Sequence, residues 1–249
     1  MDHFPALYHR HHNRNLEDLP YWSGLAQAHG DPILELGCGT GRVLVHLTLD
    51  GYQTFGLDNS SSMLSYLQKN LPLEVELLPL LFQADMSSLH LAIRFPLILM
   101  PCNTLSTLMD SARKKTIENV ARHLEKGGCF SFSIPNPALL TMLPARGESE
   151  VEEIFNHPMD GEPVQVSSAW EKTSGKFILR WHYDHLLPNG KVDRHTIQVS
   201  HWIVPIHIYI EEIQATGMKI DKVYGDFDRS PYTNQSPNLI IRAVLPLEI

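Results

Sequence analysis

The spacing of hydrophobic positions changes repeatedly along the chain, and the changes predict alternating strands and helices. Short apolar runs have the length and composition of buried strands. These runs cover residues 33–36, 52–57, 74–84, 95–100 and 129–134. Segments with apolar residues three and four positions apart are typical of amphipathic helices. They cover residues 19–29, 42–49 and 111–125. Strands that alternate with helices predict βαβ units around a parallel sheet.

A different pattern occupies residues 164–204, where apolar and polar positions alternate with a period of two. Turns at Ser174-Gly175 and Asn189-Gly190 interrupt the alternation, which is typical of antiparallel hairpins. A helix at 206–216 and strands at 218–224 and 238–245 follow. We expect one domain over residues 1–249, with an antiparallel β insertion at 138–204 that covers the site.

Net charge and cysteine usage narrow the choice of partners and compartment. The formal net charge of −8 argues against nonspecific binding to nucleic acid or to an anionic membrane. The three cysteines form no C-x-x-C pair, so we expect a reduced, cytoplasmic protein. We see no signal peptide and no apolar stretch of membrane-spanning length. The sequence says nothing about the oligomeric state.

The chain is organised around residues 33–42, which read Ile-Leu-Glu-Leu-Gly-Cys-Gly-Thr-Gly-Arg. A buried strand runs into a glycine turn and then into a helix. Glycines allow the backbone to turn tightly and to approach a ligand. A helix N-terminus at the carboxyl end of a parallel strand is a nucleotide-binding position.

Two features of this stretch argue against a dinucleotide. The fingerprint G-x-G-x-x-G needs a glycine where this chain has Arg42, because the third glycine comes one residue early, at Gly41. Glu35 lies two residues before the first glycine, where a carboxylate would repel a diphosphate. S-adenosylmethionine is cationic at sulfur and carries no phosphate. The motif E-L-G-C-G-T-G resembles the first motif of the class I S-adenosylmethionine-dependent methyltransferases of the bacterial small-molecule type.

The resemblance implies an α/β, Rossmann-like fold. That fold is a twisted seven-stranded sheet with helices on both faces and an antiparallel last strand. It also implies S-adenosyl-L-methionine as cofactor and a small-molecule methyl acceptor as substrate. Further stretches resemble the family, namely D-x-S-x-x-M-L at 58–64, Pro101-Cys102-Asn103-Thr104-Leu105 and the Lys126-Gly127-Gly128 turn. Residues 95–97 depart from the family, which usually has an aspartate there.

The cofactor-binding residues are expected at the carboxyl ends of the first four strands. The candidates are Glu35, Gly37, Cys38, Gly39, Gly41, Asp58, Asn59, Met63, Asp85, Met86, Pro101 and Asn103. Asp58 follows the glycine turn by about twenty residues, where a carboxylate can accept both ribose hydroxyls. The family implies adenine contacts for Met63, Asp85 and Met86, and a place beside the methyl donor for Asn103.

Each of these assignments has a structural alternative. Asp58 could be a helix N-cap, although Ser60 is the better cap. Met63 could be an ordinary apolar helix residue, and Asp85 could only begin a turn. Cys102 is expected to be a buried small residue and not a nucleophile, because no fixed base is evident.

Methyl transfer from sulfur is an in-line displacement in which the protein chiefly aligns the reactants. A hydroxyl or ammonium acceptor also requires a base. Candidate bases are Tyr8, His9, Tyr21, His182, His185 and Tyr232, with a core or surface role as the alternative for each. The histidine-rich arm at 1–19 is either a surface arm or a flap over the ligand, as aromatic N-terminal segments are in similar methyltransferases.

The predicted middle strand of the insertion places Trp181, Tyr183 and His185 on one face and His182 and Asp184 on the other. His182 and His185 cannot share a face, so we expect no metal site from them. Two other functions remain open at this point. One is a non-catalytic protein that binds S-adenosylmethionine or a partner, and the other is a nicotinamide-dependent dehydrogenase.

Overall fold

The computed structural model describes residues 4–14 and 16–247, and contains seven α-helices and eleven strands in those ranges. The helices are α1 Phe4–His12, α2 Leu19–His29, α3 Arg42–Leu49, α4 Ser61–Lys69, α5 Asp110–His123, α6 Pro137–Met142 and α7 Ile206–Ala215. The strands are β1 Ile33–Leu36, β2 Thr54–Asp58, β3 Leu80–Gln83, β4 Phe95–Met100, β5 Leu124–Pro135, β6 Glu150–Asn156, β7 Pro163–Thr173, β8 Lys176–Leu186, β9 Val192–Trp202, β10 Lys219–Tyr224 and β11 Asn238–Val244.

Seven of the strands form the main sheet, in the order β10-β11-β5-β4-β1-β2-β3. Strands β3, β2, β1, β4 and β5 are mutually parallel. The last strand, β11, runs antiparallel to both of its neighbours, β5 and β10. The predicted seven-stranded sheet with an antiparallel last strand is therefore confirmed.

Two apolar layers cover the two faces of this sheet. Leu34 and Ile98 point into one layer, which includes residues of α5 and α7. Ile33 and Leu97 point into the other, where α2 and α3 contribute Trp22 and others. Successive strand residues thus alternate between two buried faces, which is why these strands read as continuous apolar runs.

The third strand is much shorter than the predicted 74–84. Only Leu80–Gln83 pairs with β2, and Leu73 and Leu78 before it are exposed. Pro79 precedes the strand and has no N–H group to donate to a ladder. The prediction of a long third strand was wrong because a leucine-rich composition was taken for a buried strand.

The predicted boundary between the helix at 111–125 and the strand at 129–134 was also wrong. Helix α5 ends at His123, and β5 begins at once, so that Gly127-Gly128 lies inside the strand. Phe95 pairs with Leu124 but Leu97 pairs with Cys129, so residues 125–128 form a bulge. Asp110 is the first residue of this helix and forms an ion pair with Arg113.

Strands β6 to β9 form a second, antiparallel sheet in sequential order. The meander predicted over 164–204 is confirmed, and Leu186 pairs with Val192 across the Asn189-Gly190 turn. Strand β6 was not predicted, because a bulge between Val151 and Glu153 breaks its alternation. The boundaries 138–204 of the insertion stay a prediction. Within the described part of the chain, no helix has both the length and the apolar character needed to cross a membrane.

Candidate cofactor and acceptor site

The carboxyl ends of the parallel strands meet at one edge of the main sheet. The glycine turn follows β1, Asp58 ends β2, Asp85 follows β3 and Pro101 follows β4. This edge is where open α/β sheets bind their ligands. The fold therefore brings together the residues that the sequence singled out for the cofactor.

The glycine turn leaves space where a ligand can approach its backbone. Gly39 has a φ of +54°, and a Cβ atom built on it would meet no protein atom within 4 Å. The N–H group of Gly39 donates a hydrogen bond of 2.9 Å to Oδ2 of Asp58. Turn and second strand are thus joined directly, and a side chain at position 39 would enter open space beside them.

Asp58 is held in place without serving as a helix cap. Its Oδ1 atom accepts the N–H of Ser60 at 2.8 Å, while the Ser60 hydroxyl accepts the N–H of Met63 and caps α4. The N-cap alternative for Asp58 is wrong, as the better cap at Ser60 suggested. Each carboxylate oxygen still has a lone pair for another donor. The ribose role of Asp58 stays a prediction.

Glu35 is a buried acid that accepts a backbone hydrogen bond from Leu44 and lies near the charge of Arg42, but one of its two carboxyl oxygens has no partner. Only 2% of the residue is exposed, and burial raises the pKa of its carboxyl group to about 8. The Oε2 atom is buried and accepts no hydrogen bond. A carboxyl group with one unpartnered oxygen beside an open glycine turn suits a ligand that carries positive charge. The ammonium and sulfonium groups of S-adenosylmethionine carry such a positive charge.

Asp85 and Met86 form a short turn after β3. The Asp85 carboxylate accepts the N–H of Ser87 at 2.8 Å, so the aspartate does begin a turn, and it is exposed. Met63 is half-buried and Asn59 is exposed. The cofactor roles of all four residues stay predictions.

The loop after β4 is strained. Cys102 and Asn103 have φ values of +57° and +63°, a conformation that costs side-chain-bearing residues free energy and is often found at functional sites. Cys102 was expected to be buried, but it is exposed, and its Sγ atom contacts Nη2 of Arg42 at 2.9 Å. Arg42 in turn holds Asp18 at the start of α2.

A histidine that the sequence argument missed supports this loop from the second sheet. His201 of β9 is buried, and its Nδ1 atom lies 2.8 Å from the Ser106 hydroxyl. Ser106 donates its proton to the carbonyl oxygen of Asn103. Because that hydroxyl is the donor to Asn103, the imidazole must donate to Ser106. Burial lowers the pKa of His201 to about 4, so the ring is neutral.

Helix α1 lies over the glycine turn. His9 contacts the Thr40 hydroxyl through Nδ1 at 3.2 Å and packs on the ring of Tyr66. Leu7 is buried in a cluster with Phe155, Val164 and Val166 of the second sheet and with Tyr183. Of the predicted arm at 1–19, residues 1–3 and 15 lie outside the described residues. The described remainder packs as a helix, so the surface-arm interpretation was wrong.

The face of α1 that looks toward the strand ends carries Tyr8 and His12. Their rings are 4.2 Å apart, and the ring of His12 lies 5.1 Å from that of Trp181 on β8. The Nε2 atom of His12 is buried and has no hydrogen-bond partner. Burial, with nearby His11 as the next cause, lowers the pKa of His12 to about 3. His12 was not among the candidates chosen from the sequence, although a residue four positions after Tyr8 lies on the same face of a helix.

An acidic rim borders this space. His11 joins the Tyr183 hydroxyl at 3.0 Å and a Glu152 carboxylate oxygen at 2.9 Å. The hydrogen bond from His11 is the main cause that lowers the pKa of Glu152. An open cavity of about 570 Å³ lies here, lined by His11, Arg14, Glu17, Glu152 and Glu153. Arg14 pairs with Glu153, and three carboxylates with one guanidinium leave the rim with a net negative charge.

The six candidate bases divide into two groups. Tyr8 and His9 lie over the cofactor edge, and Tyr232 reaches it through a 2.7 Å hydrogen bond to Asn136, which follows β5. Burial raises the pKa of Tyr8, so it is protonated at neutral pH. The other three are directed elsewhere, and proposing them as bases is not supported by their positions.

Tyr21 is a core residue, because its hydroxyl is buried against Ser131 at 2.9 Å. His182 bonds Thr196 on the face of β8 opposite Tyr183. His185 shares the Tyr183 face, as predicted, but it stacks on His157 at the far end of the strand.

Comparisons with known proteins agree with this geometry. A model of the methyltransferase domain family matches residues 33–128, which include the glycine turn and the ends of β1 to β4. Residues 33–128 therefore carry a methyltransferase domain, and the fold around them matches that of solved S-adenosylmethionine-dependent methyltransferases. The antiparallel β11 between β5 and β10 also separates this sheet from the all-parallel dehydrogenase order. The chain is thus an enzyme that uses S-adenosyl-L-methionine, and the dehydrogenase and non-catalytic alternatives fall away.

Two curated relatives and one solved structure illustrate the likeness. The chain is 25% identical over 218 residues to "Putative methyltransferase YqeM" of Bacillus subtilis (strain 168), with 85% of this chain and 83% of that protein covered. It is 31% identical over 97 residues to a dTDP-3-amino-3,4,6-trideoxy-alpha-D-glucopyranose N,N-dimethyltransferase of Streptomyces venezuelae, over 39% of each chain. An S-adenosylmethionine-dependent methyltransferase from Clostridium acetobutylicum ATCC 824 shares the fold, with a TM-score of 0.78, 19% identity and 98% coverage of each chain.

Proposed function

We propose that this methyltransferase transfers the methyl group to the neutral amine of a small polar molecule. The observation that carries the proposal is the unpartnered Nε2 atom of His12, buried between the cofactor edge and β8. A buried ring nitrogen without a partner is costly, and in the tautomer that leaves Nε2 unprotonated an N–H group of the bound amine would satisfy it.

Proton affinity favours nitrogen over oxygen as the acceptor atom. An imidazole whose pKa is about 3 is too weak a base to remove the proton of an alcohol. A neutral amine already has the lone pair that attacks the methyl carbon, so it needs only to be oriented. The burial that keeps His12 neutral also favours the neutral form of an amine.

The acidic rim supports the same choice. Its three carboxylates attract a cationic amine from solution, and the amine then loses its proton on entering the buried space. We infer that S-adenosylmethionine bound at this edge would supply the methyl group, with S-adenosylhomocysteine as the leaving group. The amine nitrogen, oriented by His12, would attack in line with the breaking carbon–sulfur bond, and the alkylated nitrogen would then release its second proton to water.

The proposed residue roles combine these contacts with the sequence motifs. Gly39 approaches the cofactor through open space, while Gly37 and Gly41 shape the turn where a Cβ atom would meet Thr104 or Leu67. In this proposal Asp58 accepts the ribose hydroxyls, Glu35 faces the cationic amino-acid end and Asn103 lies beside the methyl donor. His12 orients the amine. The Streptomyces venezuelae relative is named for methylation of an amino sugar, so amino sugars are the first acceptors to test.

The experiment is a product screen. The enzyme is incubated with S-adenosylmethionine and pairs of amines and alcohols that differ only at the acceptor atom, with amino sugars and their hydroxy analogues first. Mass spectrometry follows S-adenosylhomocysteine and the acceptor gaining one methylene. We expect only amine members to be methylated. Methylation of the alcohol member alone would contradict the proposal.

A further inference from the structure

We propose that His157, Asp160 and His185 form a binding site for one divalent transition-metal cation of the zinc type. The site lies in the second sheet, at the turn between β6 and β7 and on the end of β8. It is separate from the cofactor edge and from the acidic rim.

The three side chains converge from two segments that are distant in sequence. Their potential ligand atoms all lie within 4.8 Å of one another. Asp160 approaches both histidines, with Oδ1 at 3.2 Å from Nδ1 of His157 and Oδ2 at 3.2 Å from Nε2 of His185. Two ligands of a tetrahedral zinc ion at its usual bond lengths are about 3.4 Å apart. The observed separations therefore bring the three groups within reach of a shared cation, provided that one imidazole ring turns so that both ring planes meet at the ion.

The two imidazole rings already lie against each other, so that the turn of one ring is the main change that ion binding requires. They stack with centroids 4.2 Å apart and planes 9° apart. His157 is 7% exposed, and the side chain of His185 is 13% exposed. Asp160 is about half exposed, so one side of the cluster stays open to water. Two imidazoles, one carboxylate and a water molecule are a common ligand set for zinc.

The turn organises its ligands before any cation arrives. The N–H of His157 donates to the carbonyl oxygen of Glu162 at 2.7 Å, and the N–H of Gly161 donates to the carbonyl oxygen of His157 at 2.9 Å. The Asp160 carboxylate accepts the N–H of Glu162 at 3.1 Å. Residues 157–162 thus form a closed turn that presents Asp160 beside the imidazole of His157.

Electrostatics at this turn call for a positive charge between the groups. The N–H of Met159 points at Nδ1 of His157 at 3.3 Å, so this nitrogen presents a lone pair. The same nitrogen faces a carboxylate oxygen of Asp160, which also presents lone pairs. Nε2 of His185 is buried and makes no well-formed hydrogen bond. A cation at the centre would bind Nε2 of His185 and the Asp160 carboxylate, and its bond to Nδ1 of His157 would replace the long contact from the Met159 N–H.

A bound ion would brace the surface on which α1 rests. Phe155, two residues before His157, packs with Leu7 of α1, and Val164 of that cluster pairs with His185. Metal binding would therefore tie the β6–β7 turn to β8 next to this contact. We expect it to raise the temperature of unfolding of the intact chain, since a ligand that binds only the native state stabilises it.

The test uses the full chain after removal of metal with a chelator. Zinc chloride is titrated by calorimetry, and cobalt(II) binding is followed by visible absorption. We expect about one ion per chain. His185→Gln should weaken binding about 100-fold or more, because losses of even outer-sphere partners cost about 10- to 100-fold. Asp160→Asn, which keeps the shape and removes the charge, should also weaken it.

His182→Gln is the matched control, because His182 lies on the same strand but on its opposite face. The control should bind as tightly as the unaltered protein, and circular dichroism should show that all variants fold. Absence of binding would mean that a proton alone occupies the cluster, and it would overturn the proposal. Binding that survives in the His157→Gln, His185→Gln double variant would also overturn it, since the ion would then sit elsewhere, for example on the histidines of α1.

Discussion

The cofactor edge of the main sheet is covered by helix α1 and the second sheet, which together we call the roof. The two regions are assembled differently. The stretch that contains the glycine turn occupies the ten consecutive residues 33–42, and its link to Asp58 spans 19 positions. In the roof, His11 reaches Glu152 across 141 positions and Tyr183 across 172. The first region is a local motif that can be read along the chain. The second exists only when α1 and the second sheet have docked.

The difference teaches that cofactor choice and acceptor choice are encoded separately. Changes in the glycine turn should act on cofactor binding, and changes in the roof should act on turnover of the acceptor. The predictions below would break or sharpen this division.

The largest effect is expected for Gly39→Val. The new side chain would enter the open space beside the turn, so binding of S-adenosylhomocysteine should become undetectable by calorimetry. Gly51→Val is the control, because Gly51 also has a positive φ and open surroundings but follows α3 outside the site. Both variants carry a similar backbone penalty of about 1–3 kcal/mol. Equal binding in the two variants would show that the turn does not approach the cofactor.

Asp58→Ala should weaken cofactor binding by about 1.5–3 kcal/mol, because the ribose hydroxyls lose a charged acceptor. The change also removes the hydrogen bonds to Gly39 and Ser60, so Asp58→Asn is needed beside it. Asparagine keeps one carbonyl acceptor, so the cofactor affinity of Asp58→Asn should lie between those of Asp58→Ala and the unaltered protein. Calorimetry that gives unchanged affinity for both variants would remove Asp58 from the site.

His12→Ala should lower kcat/KM for the amine by about 1–3 kcal/mol, the cost of losing a buried hydrogen bond. Affinity for S-adenosylhomocysteine should change much less, since the proposed partner of His12 is the acceptor. His29→Ala is the control, because it replaces a histidine at the end of α2. An equal loss in cofactor affinity and in turnover would show that His12 acts on cofactor binding as well, and that the two regions do not act separately.

The smallest effect is a pH dependence that Glu35 should impose. Its folded pKa of about 8 lies above the ordinary value near 4.3, so the empty protein holds an extra proton at neutral pH. Stability from this group is present at low pH and is lost as pH rises through about 8. A cationic ligand favours the ionised form, so affinity should rise with pH between 6 and 8, by up to about tenfold per unit. Calorimetry in two buffers should detect proton release, and the slope should vanish in Glu35→Gln.

The unequal success of sequence-based prediction follows the same division. The strands around the glycine turn were recognised because both of their faces are buried, which leaves an unbroken apolar run such as Phe95–Met100. The leucines at 73, 77 and 78 gave the same signal and are exposed. Composition does not distinguish an edge from a centre, because only the neighbouring strand decides burial.

The N-terminal arm failed for a related reason. Its histidines read as polar surface, since one helix of nine residues has no visible partner in the sequence. The buried contacts of Leu7 come from residues between 155 and 183. The candidates His182 and His185 were likewise chosen by residue type, whereas their positions on β8 direct them away from the cofactor edge.

The amino-acid sequence by itself determined the sheet, the glycine turn and the cofactor class, because those depend on local periodicity and on a contiguous motif. Tertiary structure alone decided that α1 lies over the glycine turn and that the Nε2 atom of His12 is buried without a hydrogen-bond partner. It also decided that His157 and His185 meet. Burial and proximity between distant segments arise from packing, and packing sets the pKa values on which the acceptor chemistry depends.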